Sequence, residues 1–156
     1  MRIEIDQSGK IEKTNRQTVI AFSNSASGVI TISAKDKKVL QNFFRKINKP
    51  KLFVYLTFVT GVYLLIRDVI RNGDQIVIDR EYPGYEKFIN QKITELIVNN
   101  SKIDDIRVIT QQIGKKSKAH DIAWEILTSK SRKNIQKLSS NKILEIIRAN
   151  LKSGSI

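Results

Sequence analysis

From Leu52 to Ile66 the chain reads "LFVYLTFVTGVYLLI", an apolar run without a single charge. A helix this apolar on every side has to be buried, either in a protein core or in lipid. Lipid is the poorer fit, because a membrane span needs about 20 such residues. The run also holds Thr57, Thr60 and Gly61 and meets Arg67 and Asp68 directly at its end. Its β-branched and aromatic content would suit strands as well, but one uninterrupted stretch closing on Arg67, Asp68, Arg71 and the turn "RNGD" reads as a core helix. A helix buried all round requires other layers about it, and the rest of the sequence must supply them.

Strands come first. "RIEID" alternates apolar and polar residues, "QTVIAFS" and "GVITIS" continue in the same style, and "QSGKIEKTNR" and "NSASG" separate them as turns, which predicts a three-stranded antiparallel meander. "AKDKKVLQNFFRKI" sets Val39, Leu40, Phe43, Phe44 and Ile47 at helical spacing, and Pro50 cannot continue that helix. Beyond the apolar run, "QIVID" is a fourth strand and "GYEKFINQKITELIVNN" an amphipathic helix with Phe88, Ile89, Ile93, Leu96 and Ile97 on one side. "DIRVITQQI" is a fifth strand, and "SKAHDIAWEILTS" a helix that Ser117 can cap. Ala119, Ile122, Ala123 and Ile126 mark its buried face. "SSNKILEIIRANLKSGSI" adds a final helix with Ile143, Ile146, Ile147 and Leu151 along one side. The expected architecture is α/β, a mixed five-stranded sheet with three antiparallel strands followed by two parallel ones, and helices on both faces because crossover connections lay them there. One domain over residues 1–130 with a basic helical extension over 131–156 is the expected organisation.

Two of these strands end in an aspartate. "RIEID" closes on Asp6 and "QIVID" on Asp79, with Glu81 and Glu86 close behind in "REYPGYE". An aspartate at a strand end commonly caps a turn, but two on neighbouring strands can share a site. Glu81 lies two residues past Asp79 and points to the same side if the backbone stays extended, whereas Glu86 belongs to the next helix. In "SKAHDIAWEI", Asp121 occupies the first helical turn, where the helix dipole favours a carboxylate, and Glu125 follows one turn on. Both could equally form the solvated face of that helix. His120 is the only histidine, so a multi-histidine metal centre is excluded. It can be packed, or act beside the carboxylates as a partner or general acid/base.

The net charge of +13 over 156 residues attracts polyanions, nucleic acid foremost. "GKKSKAH" concentrates it: Lys115, Lys116 and Lys118 surround Ser117 at a helix start whose amides favour a phosphate, although the segment does not match the nucleotide-binding pattern GxxxxGK[ST]. Further basic residues run from Lys130 to Lys152. Aromatic residues are few and read as apolar-facing, which favours duplex or branched nucleic acid over single strands. The absence of cysteine excludes disulfides, thiolate metal sites and cysteine nucleophiles, and together with a charged N-terminal stretch it points to a cytoplasmic protein without a membrane role.

With Asp6 ending the first strand and Asp79 the fourth, the sequence resembles the ribonuclease H-like superfamily, from about Met1 to Leu127 by element order. "GVYLLIRDVI", "IVIDREYPGYE" and "QIGKKSKAHDIAWEI" also look like an uncharacterised prokaryotic family of the same arrangement. The superfamily includes ribonucleases H, Holliday-junction resolvases, transposases and integrases. The resemblance implies a fourth strand beside the first, two magnesium or manganese ions on Asp6, Asp79 and a carboxylate of the last helix (Asp121 or Glu125), phosphodiester cleavage, and the homodimer that resolvases often form. The chemistry agrees with that expectation. Hard cations take oxygen ligands, and two of them about 4 Å apart can serve both oxygens of a displacement. A nucleic-acid-binding or assembly module that shares the fold but lacks catalysis is the alternative.

Overall fold

The computed structural model describes residues 1–114, 117–129 and 135–152. It is an α/β protein with one mixed sheet and five helices. The strands are β1 (Arg2–Ser8), β2 (Thr18–Ser23), β3 (Ser27–Ile32), β4 (Gln75–Asp79), β5 (Arg107–Gln111) and β6 (Ile135–Lys137). The helices are α1 (Ala34–Lys46), α2 (Leu52–Ile66), α3 (Glu86–Asn100), α4 (Lys118–Ser129) and α5 (Ser140–Lys152). The sheet order is β5-β4-β1-β2-β3-β6. β1, β2 and β3 form the expected antiparallel meander, β4 lies parallel beside β1, and β5 lies parallel beside β4.

The expectation of five strands is corrected to six. The three residues of β6 pair in parallel with β3, Val29 opposite Ile135 and Thr31 opposite Lys137. So short and polar a segment has no periodicity to betray it; the free edge of β3 makes it a strand. Nor does the C-terminal segment stand apart. Leu138 and, from α5, Ile143, Leu144 and Ile147 are buried in the same apolar cluster as α2. The backbone N–H of Ser140 also donates to Asp36 Oδ1 at 3.0 Å, joining the start of α5 to the first turn of α1.

Strand alternation sorts the core into two layers. Ile3, Ile5, Ile20, Phe22, Ile30, Ile32, Ile76 and Ile78 face the layer of α2, with α1, α3 and α5 packed around that helix. The α2 run is buried nearly throughout. Gly61 lets it come close to the sheet, since a Cβ there would lie 3.0 Å from Ile20 Cδ1 and 3.3 Å from Ile30 Cδ1. No described helix is long and apolar enough to cross a membrane. On the opposite face, Val19, Ala21 and Val29 pack against Ala123 and Ile126 of α4, which covers β1, β2 and β3.

In α1 the expected apolar stripe is shifted. Val39 is 42% exposed, while Lys37 is fully buried beside Leu40 and Phe44. The Lys37 ammonium donates to the carbonyl oxygens of Lys10 (3.2 Å) and Lys13 (2.6 Å) and to Thr18 Oγ1 (3.0 Å). Those acceptors explain how a lysine can occupy a core position, and they fasten the β1–β2 connection to α1.

Candidate metal centre

Register brings the two aspartates together, although only Asp79 ends its strand: β1 continues past Asp6 to Ser8, still paired with β2. β1 and β4 are aligned with Ile5 opposite Ile78, so Asp6 and Asp79 follow one residue further along neighbouring strands about 4.8 Å apart. Ile5 and Ile78 point into the α2 layer. Alternation therefore turns both aspartates to the α4 face. Glu81, in the turn after β4, joins them: ligand oxygens of Asp6, Asp79 and Glu81 all lie within 4.8 Å of one another.

Three carboxylates this close repel, and burial sharpens the repulsion. Asp6 is only 3% exposed. Burial raises its pKa, and the Asp79 charge raises it further, while the backbone N–H of Gln7 and then the His120 contact offset part of this. Glu81 is pushed up to about 8, first by burial, then by the charges of Asp6 and Asp79 and by contact with the Asp6 side chain. Lys10 opposes this weakly. Asp79 is held from the other side, its Oδ1 accepting the backbone N–H of Ile113 at 2.8 Å.

The two oxygens of Asp6 differ. Oδ2 lies 2.7 Å from His120 Nδ1, so with Asp6 ionised the ring carries its proton on Nδ1 and donates. Oδ1 is buried and accepts no hydrogen bond. A buried carboxylate oxygen without a donor is costly, and with two further carboxylates close to Asp6 a shared proton or a cation would satisfy it. The donor set is all oxygen with one imidazole adjacent, which suits a hard divalent ion.

α4 reaches this site through His120. Among the described residues, the close carboxylate group does not include Asp121, and Asp121 and Glu125 are both exposed. The structure therefore brings Asp6 and Asp79 together with Glu81 and not with Asp121. The cause is helical phase. Ala119, Ala123 and Ile126 are locked against the sheet, which turns position 120 toward Asp6 and carries position 121 about 100° away. Ser117 caps α4 as expected, its buried Oγ accepting from the N–H of Ala119 at 3.1 Å. That bond engages its hydroxyl within the helix end. Lys118 is exposed at the first turn, and Lys115 and Lys116 lie outside the described residues. Glu86 stays apart: its Oε2 accepts from the N–H of Gly84 at 2.8 Å, and Arg80 lies 3.5 Å from its Oε1.

Behind the site is a brace that the sequence did not announce. Gln7 and Tyr82, the residues after Asp6 and Glu81, exchange hydrogen bonds: Gln7 Nε2 donates to Tyr82 Oη at 3.0 Å, and Tyr82 Oη reaches Gln7 Oε1 at 3.2 Å. Tyr82 is set edge-on to Phe58 and Tyr55, at 5.4 and 5.7 Å between ring centres. The β4–α3 turn is thereby tied to β1 across the sheet, which fixes Glu81 relative to Asp6. Strand alternation was the available signal, since it places Gln7 on the buried α2 side, where a polar side chain needs a partner. In front, Asp79, Arg80, Gln112, Gly114 and His120 line an open pocket of about 330 Å³.

No protein-family model matches the chain, and no curated protein matches it.

Proposed function

We propose that this chain is a ribonuclease H-like, divalent-metal-dependent nuclease whose ligands for magnesium or manganese are Asp6, Asp79 and Glu81. The observation that carries the reading is the buried Asp6 Oδ1, without a hydrogen-bond donor and beside two further carboxylates. The parallel pairing of β1 with β4 supports the superfamily assignment, because the resemblance requires the fourth strand beside the first. β6 is an addition to that plan.

When bound, the ions activate water and neutralise charge on the phosphoryl oxygens. The protein's own contribution is positional. Asp6 and Asp79 stand on paired strands and so keep their separation, while Glu81 sits on a turn held by Tyr82. His120 orients Asp6 through Nδ1, which leaves Nε2 as a proton acceptor. Lys118 and the amides at the start of α4 provide for the phosphate backbone, and the net charge of +13 favours a polyanion in general.

The test is cleavage of labelled duplex DNA, RNA–DNA hybrid, single strands and a four-way junction at low salt with Mg²⁺ or Mn²⁺. Wild type is compared with Asp6→Asn and Asp79→Asn. Metal-dependent cutting that disappears in both variants is the expected result. Intact substrates under every condition would sink the hydrolase reading.

A further inference from the structure

The chain has one tryptophan, and it is exposed. Trp124 on α4 is 58% accessible although α4 otherwise buries its apolar residues. Among the described residues no aromatic ring stacks on it, and no acceptor takes its indole N–H. An indole left in water has no packing explanation here: Ala119, Ala123 and Ile126 anchor the helix, and Trp124 lies off that stripe. It follows His120 by four residues, so the two share one flank of α4 about one turn, or 6 Å, apart. His120 touches Asp6. A planar apolar surface thus stands one turn from the histidine that touches the carboxylate cluster, on a protein with a charge of +13.

We infer that Trp124 is a stacking platform for an unpaired nucleobase one or two nucleotides from the phosphodiester at Asp6, Asp79 and Glu81. This rests on the hydrolase reading and adds the substrate class to it. Stacked nucleotides rise about 3.4 Å each, so the one turn between Trp124 and the histidine touching Asp6 is on the scale of one or two nucleotides. Every base offers a π-face, and stacking on an aromatic side chain is independent of sequence. Within a continuous duplex that face is covered by the neighbouring base pairs, so the platform selects single-stranded, bulged or branched nucleic acid. This reverses the expectation that aromatic residues would be absent from the binding surface. Charge complementarity names the occupant: the aromatic surface adjoins a site for a phosphate, and a base is the apolar group always attached near one.

Because Trp124 is the only tryptophan, its fluorescence reports this position alone. The full chain is titrated at low salt, with Ca²⁺ in place of Mg²⁺, with a single-stranded oligonucleotide and with one of the same length made wholly of abasic sites. Expected are quenching of the indole emission by the first and not by the second, and binding of the first weakened about 5- to 100-fold by Trp124→Ala but mostly retained by Trp124→Phe. Emission that does not move on binding, failure of the oligonucleotide to bind, or equal affinity of wild type and Trp124→Ala would each overturn the proposal. Cleavage with Mn²⁺ is scored separately. A chain that is quenched but never cuts keeps the platform and loses the hydrolase reading; one that cuts with unmoved emission loses only the platform.

Discussion

Asp6 and His120 are 114 residues apart in the chain and 2.7 Å apart in space. That contact links α4 to the carboxylates through Asp6 Oδ2, while the buried Oδ1 has no donor. The histidine therefore positions one carboxylate of a cluster whose own members repel one another.

His120→Ala should lower metal-dependent activity about 10- to 100-fold, the usual effect of removing a partner that orients a ligand. Manganese affinity, measured by calorimetry, should fall with it. His120→Asn, which can still donate to Asp6, should recover part of that affinity. Unchanged metal binding in His120→Ala would show that Asp6 needs no such support.

The Glu81 carboxyl, pushed up to about 8 from 4.5, makes the metal-free protein sensitive to pH. The folded state holds this proton more tightly than the unfolded chain does. Its contribution is therefore complete below about pH 4.5 and is lost as pH rises through about 8. Denaturant unfolding of the metal-free chain should give a stability on the order of 3 kcal/mol lower at pH 8 than at pH 5. Glu81→Gln should flatten that slope, and Mn²⁺ at a hundredfold its Kd should restore about 2.7 kcal/mol at pH 8 to wild type. A slope identical in wild type and Glu81→Gln would contradict the repulsion described here.

Lys37 makes a prediction about the scaffold. It is fully buried, and three oxygen acceptors depend on its ammonium. Lys37→Met keeps most of the volume but strands two carbonyls and a hydroxyl, at a cost of about 2–4 kcal/mol. Hydrogen exchange should show the loss concentrated in residues 9–17, the connection between β1 and β2. A variant as stable as wild type would mean that water replaces the ammonium without penalty.

Much of this protein is legible in one dimension. Leu52–Ile66 had to be a buried helix because it was too apolar for a surface and too short for a bilayer. Period-two alternation made β1 and β2 strands, and the abrupt change from apolar residues to aspartate marked the end of β4 at Asp79 but not that of β1, which runs two residues past Asp6 to Ser8 because Gln7 and Ser8 still pair with β2. Alternation also placed Asp6 and Asp79 on one face as soon as β1 and β4 were neighbours. β6 escaped notice because three residues carry no measurable period. The buried Lys37 escaped because charge is ordinarily a reliable sign of exposure, and only the carbonyls of a distant connection reverse it.

The sequence by itself determined the five helices, the strands β1 to β5 and the aspartate late in each of β1 and β4, since these follow from local periodicity and turn chemistry; that β1 and β4 are neighbours was implied only by the resemblance and is decided by the fold. The tertiary structure alone decided which neighbours complete the cluster. "AHDIAWE" offers a histidine, an aspartate, a tryptophan and a glutamate within six residues. Which of them meets Asp6 depends on how α4 is rotated about its axis, and that rotation is set by Ala119, Ala123 and Ile126 closing on Val19, Ala21 and Val29 from strands remote in the chain. A turn of 100° per residue separates the side chain that touches Asp6 from a solvated one, and packing, not periodicity, fixes that angle.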